Sequence, residues 1–107
     1  MDIKSENILI DSEFNFKITD FGLSQKIEGT NQSGFETENF VGTLNYMAPE
    51  QHKKIKFSPQ AVDLFAFAIV LFQMTSGTNP FDSATEKDAL YKYICKRDFR
   101  TFWAIHE

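Results

Sequence analysis

The chain has 107 residues, 42% of them hydrophobic and 24% charged, with a net charge of −4. That balance fits one small globular domain or part of a larger one and argues against disorder, and a pI near 5.1 gives no basic stripe for nucleic acid. The single cysteine, Cys95, excludes an internal disulfide, so the expected location is a reducing, intracellular one, namely the cytoplasm.

No basic-then-apolar leader opens the chain, so no secretory signal is expected. The first element predicted is a β-hairpin. Ile8-Leu9-Ile10 is a short apolar run, Phe16-Lys17-Ile18-Thr19 alternates, and Asp11-Ser12-Glu13-Phe14-Asn15 between them has turn chemistry. Residues 25–39 turn to Gly, Thr, Asn, Ser and Glu without period, the composition of an exposed loop. A helix is predicted from Ser58-Pro59 to about Ser76, capped by Ser58 and stopped by Gly77. Its apolar residues go all the way round, so it should be enclosed by protein, with Phe65, Val70 and Met74 in the core. The apolar stretch at 62–74, broken by Asp63 and Gln73, falls short of the ~20 residues that cross a bilayer, so no membrane segment is expected. A last helix is predicted over 85–96, with Ser83 and Glu86 spaced as a capping box. His52 and His106 lack partners at metal-ligand spacing, and Cys95 has no activating neighbour in sequence. The class is α+β: a hairpin, a loop, then helices.

Four motifs stand on this frame. Asp2-Ile3-Lys4-Ser5-Glu6-Asn7 precedes the first strand and Asp20-Phe21-Gly22 follows the second. Gly42-Thr43-Leu44-Asn45-Tyr46-Met47-Ala48-Pro49-Glu50 follows the loop, and Asp63 opens the apolar helix. In this order they resemble the catalytic loop, the metal-binding Asp-Phe-Gly, the end of the activation segment and the helix-F aspartate of the protein kinase catalytic domain. Singly, such residues mostly cap turns and helices; four in order make the resemblance specific, and it covers nearly the whole chain. It implies a partial kinase-like fold. Residues 1–22 would be the catalytic loop and metal-binding hairpin, 20–50 the activation segment, and 51–107 an incomplete helical subdomain of the large lobe.

The resemblance also implies roles. Asp2 would orient the substrate hydroxyl and accept its proton, and Lys4 would bring positive charge to the transferring phosphate. Asn7 and Asp20 would ligate Mg²⁺, and Leu9 would form the floor under the adenine of ATP. Phe21 would pack inward beside Gly22, Asp63 would hold the catalytic loop, and Glu50 would pair with a basic partner beyond residue 107. Lys4 together with Thr43 resembles Ser/Thr kinases rather than tyrosine kinases, with the Thr43 hydroxyl bonded to Asp2 and Lys4, so the implied partner is a protein substrate bearing a Ser or Thr acceptor. Thr30, Ser33 and Thr37 are candidate phosphoacceptors, with plain solvated hydroxyls as the alternative at each.

The family's His-Arg is missing before Asp2, where only Met1 stands, as are the glycine-rich loop, the strand lysine and the adenine hinge of the small lobe. The expectation is therefore that this chain by itself binds Mg-ATP negligibly and is inactive without a small lobe. A truncated kinase or pseudokinase serving as a non-catalytic binding module is the rival. Joint retention of Asp2, Lys4, Asn7 and Asp20 argues against that rival, since a binding module needs none of them.

Overall fold

The computed structural model describes residues 2–22 and 43–107. A one-turn 3₁₀ helix, Ser5–Asn7, runs directly into β1 (Ile8–Ile10), and β2 (Phe16–Ile18) returns antiparallel with Ile8 opposite Ile18 and Ile10 opposite Phe16. Asp11 builds the reversal. Its carboxylate accepts the backbone N–H groups of Asn15 at 2.8 Å and Glu13 at 2.9 Å, and Phe14 takes a left-handed φ of 64°. The Asn15 bond is the largest influence on the Asp11 carboxyl, whose pKa is held below its ordinary value.

A second one-turn 3₁₀ helix, Leu44–Tyr46, leads to α1 (Pro49–His52), α2 (Pro59–Ser76), α3 (Tyr91–Cys95) and α4 (Phe99–His106). This is the expected α+β arrangement. α2 starts and stops where its caps direct. The Ser58 hydroxyl accepts from Ala61 N at 3.4 Å, and Pro59 occupies the first turn. Gly77, at φ 76°, donates its N–H to the Gln73 carbonyl at 2.8 Å and turns the chain away.

Val62, Ala66, Ile69 and Val70 make one buried stripe along α2, while Leu64, Phe67, Leu71 and Met74 are exposed. Enclosure on every side is thus corrected to burial of one stripe, and Met74, expected in the core, is 60% exposed. The cause is geometric: a helix with apolar residues all round needs neighbours all round, and the described residues supply them along that stripe. The membrane estimate also changes. Counted over its full 18 residues, at a mean hydropathy of 1.3, α2 is long and apolar enough to cross a bilayer by length and composition alone. Its buried stripe instead joins the protein core.

That core gathers Ile3, Tyr46, Ala66, Ile69 and Val70 of α2, Phe81 and Phe102, while Val62 packs in a smaller cluster with Ala48 and Phe57. Phe81 meets Tyr91 edge-on at 4.9 Å, and Phe72 stacks on Trp103 at 5.6 Å. His106 sits 4.6 Å from the Phe102 ring, and its Nε2 lies 2.9 Å from the Pro80 carbonyl, to which it donates. The predicted helix over 85–96 is corrected to Tyr91–Cys95. The Asp88 carboxylate takes the N–H groups of Asp82, Ser83, Leu90 and Tyr91 at 2.9–3.1 Å, so an irregular turn occupies the segment before the helix. No capping box forms, and Ser83 Oγ instead lies 3.1 Å from Thr85 Oγ1. α4 was not anticipated; the Asp98 carboxylate caps it by accepting from Thr101 N at 3.2 Å.

Candidate active site

Ile3 is buried in the core and Lys4 is extended at φ −160°, ψ 164°. Alternate residues of an extended segment face the same way, so burying Ile3 turns Asp2 and Lys4 together toward the other side. There Lys4 Nζ lies 3.3 Å from Asp2 Oδ2. Thr43, about forty positions on in sequence, closes the figure. Its hydroxyl donates to Asp2 Oδ1 at 3.0 Å and accepts from Lys4 Nζ at 3.2 Å. A carboxylate, an ammonium and a hydroxyl therefore form a partly buried triangle, in which each charge restrains the other and Thr43 fixes the separation. The Thr43 contacts are those its motif led us to expect.

Asn7 is buried at 8% exposure, and its Nδ2 donates to the Asp2 carbonyl at 2.9 Å. That bond leaves the amide oxygen Oδ1 available as an acceptor or ligand. Thr19 N donates to the Asn7 carbonyl at 2.8 Å, extending the hairpin by one rung, so that Asp20 follows directly on a residue paired with Asn7. Asp20 holds a left-handed φ of 63°, which aspartate tolerates better than most residues, and its Oδ1 accepts from Gly22 N at 3.4 Å. Among the described residues no three His, Cys, Asp or Glu side chains converge. One amide oxygen and one carboxylate suit a hard ion that brings most of its ligands as phosphate and water oxygens, as Mg²⁺ does.

Leu9 on β1 is 54% exposed, and Phe21, expected to pack inward, is 60% exposed, like the hairpin it follows. Asp63 lies half-buried near the start of α2, and Glu50 half-buried in α1. Thr30, Ser33 and Thr37 fall outside the described residues.

Three residues to which the motifs gave no separate role join the site from behind. The Tyr46 hydroxyl lies 3.1 Å from Ser5 Oγ, accepts from Ser5 N at 3.4 Å and from Gln73 Nε2 at 3.0 Å. Gln73 in turn donates to Asn79 Oδ1. Separations of 41 and 27 positions hide such pairs from any local pattern.

The family model for the protein kinase domain matches residues 1–106. The chain belongs to the protein kinase family. It is 40% identical over 93 residues to serine/threonine-protein kinase PKH2 of Saccharomyces cerevisiae, covering 79% of this chain and 8% of that protein. It is 37% identical over 89 residues to ribosomal protein S6 kinase alpha-2 of Mus musculus, covering 83% of this chain and 12% of the relative. With lectin-domain containing receptor kinase VI.3 of Arabidopsis thaliana it shares 44% identity over 84 residues, covering 78% and 12%. The kinase chain thus spans about a tenth of the length of these relatives.

Proposed function

We propose that the protein transfers the γ-phosphate of ATP to a Ser or Thr hydroxyl of a protein substrate. The observation that carries this reading is the triangle of Asp2, Lys4 and Thr43, with Asn7 bonded to the Asp2 carbonyl, and the names of two of the three relatives are in keeping with it: a serine/threonine-protein kinase and a ribosomal protein S6 kinase.

Phosphoryl transfer asks a protein mainly to position groups and neutralise charge. Asp2 orients the acceptor hydroxyl and takes its proton, and its bond from Thr43 holds the carboxylate in that direction. Lys4, restrained by Asp2 and Thr43, sets a positive charge where negative charge builds on the transferring group. Asn7 Oδ1 and the Asp20 carboxylate would hold a Mg²⁺ entering with ATP, which would neutralise phosphate charge. Leu9 offers adenine an apolar floor, and Phe21 and Gly22 support the position of Asp20. Asp63 steadies the catalytic loop from α2, Glu50 anchors the end of the activation segment, and Thr37 is its candidate phosphoacceptor.

The test incubates the full-length protein with γ-labelled ATP and a protein substrate, then identifies the labelled amino acid. Phosphoserine or phosphothreonine is expected, and Asp2→Asn should lower the rate roughly a hundredfold or more. Label on tyrosine alone, or an Asp2→Asn rate equal to wild type, would contradict the reading.

A further inference from the structure

We infer that Tyr46 is a positioning residue of the transfer site, acting through Ser5, and that Gln73 and Asn79 hold it in place; this rests on the kinase reading above. Tyr46 is buried at 6% exposure, and the bonds its hydroxyl makes are partly shielded from water. A phenol has one proton to give and two lone pairs to fill. Here the hydroxyl accepts from Gln73 Nε2 at 3.0 Å and from Ser5 N at 3.4 Å, and its proton has two acceptors in reach, Ser5 Oγ at 3.1 Å and Gln73 Oε1 at 3.2 Å. The second Nε2 proton of Gln73 goes to Asn79 Oδ1. The relay therefore ends on α2, the longest helix among the described residues, and on the turn after Gly77 that follows it.

Ser5 is the residue through which such an anchor can act. It directly follows Lys4 and begins the one-turn helix that ends at Asn7, whose N–H donates to the Lys4 carbonyl at 3.0 Å. A shift of Ser5 therefore moves Lys4 on one side and Asn7 on the other. The same short turn that carries Tyr46 also carries Thr43, since Tyr46 N donates to the Thr43 carbonyl at 3.0 Å. One rigid unit thus grips the catalytic segment twice. Thr43 holds the side chains of Asp2 and Lys4, and Tyr46 holds the backbone at Ser5. Small displacements at a reacting centre are costly in rate, so the hydroxyl of Tyr46 should be read out in turnover rather than in nucleotide affinity.

The experiment compares Tyr46→Phe, Ser5→Ala and Ser5→Thr in the full-length protein. In Tyr46→Phe and in Ser5→Ala, kcat is expected to fall about tenfold with KM for ATP unchanged. Ser5→Thr, which keeps a hydroxyl, should stay near wild type, and the double variant Tyr46→Phe/Ser5→Ala should be no slower than either single one. A Tyr46→Phe kcat equal to wild type, or Ser5→Thr as slow as Ser5→Ala, overturns the inference. A parallel NMR arm follows the Thr43 methyl and Lys4 side-chain resonances, expected to move in Tyr46→Phe while the thermal midpoint holds. If the wild-type protein transfers no phosphate, the kinase reading fails by itself and this arm decides the positioning role: unmoved resonances overturn it.

Discussion

The hairpin and the helical part of this chain are both rich in large apolar residues, yet they use them in opposite ways. Phe102 of α4 keeps 4% of its surface exposed, and Phe16 of β2 keeps 60%. In the helical part, aromatic rings from α2, α3, α4 and the segment between α2 and α3 interlock, and polar groups such as Asp88 and Asp98 serve as caps. In the hairpin, order comes from the Asp11 turn and from the Thr19–Asn7 rung, while Leu9, Ile10 and Phe16 lie open. Apolar composition alone therefore does not locate a core. In the helical part it is buried; in the hairpin it stays exposed, and a backbone hydrogen bond from Thr19 to Asn7 ties the strands' ends together.

The sharpest way to break this contrast is to truncate both rings. Phe102→Ala is expected to destabilise the protein by about 3 kcal/mol, the usual cost of emptying a core position, whereas Phe16→Ala should stay within about 0.5 kcal/mol. Chemical unfolding of the two variants measures both, and equal losses would erase the distinction.

Asp88→Ala should come next, at about 2 kcal/mol, because it leaves backbone donors around the α3 turn without their acceptor. Burial pushes the Asp88 carboxyl up, but backbone bonds led by those from Tyr91 and Leu90 outweigh it and hold the pKa below its ordinary value. A depressed folded-state pKa gives stability that is fully present above the unfolded value of about 3.9. That contribution is lost as pH falls through the lower, folded value. Stability curves of wild type and Asp88→Asn should therefore converge in acid and separate toward neutral pH; parallel curves would rule this linkage out.

Gly77→Ala should cost about 1 kcal/mol through its left-handed φ alone, since a Cβ there meets no atom within 4 Å. A larger loss in thermal unfolding would mean that packing, rather than backbone conformation, sets the end of α2.

How much could be read from sequence follows the range of the forces involved. The limits of α2 were legible because Ser58, Pro59 and Gly77 act on adjacent backbone. The hairpin was legible for the same reason, through Asp11. The start of α3 was misplaced because the four-donor role of Asp88 outweighs the local helix pattern of 85–90. α4 escapes the sequence reading although Asp98 as cap and the Phe102–His106 spacing are present, and the packing role of His106 is hidden because its partner Pro80 is distant in sequence. At the site, the contacts of Thr43 with Asp2 and Lys4 follow from the resemblance. The Tyr46–Ser5–Gln73 relay was not, because three ordinary residues become a unit only when the fold brings them together.

The central claim is that Thr43 sets the geometry of Asp2 and Lys4 for phosphoryl transfer. Its most direct test is kcat of the full-length protein for Thr43→Ala and Thr43→Ser with a fixed protein substrate. Loss of hydrogen bonds to charged groups, about 1.5–3 kcal/mol, corresponds to a fall of roughly ten- to a hundredfold for Thr43→Ala. Thr43→Ser, which keeps the hydroxyl, should stay close to wild type. Equal kcat for Thr43→Ala and wild type would contradict the account.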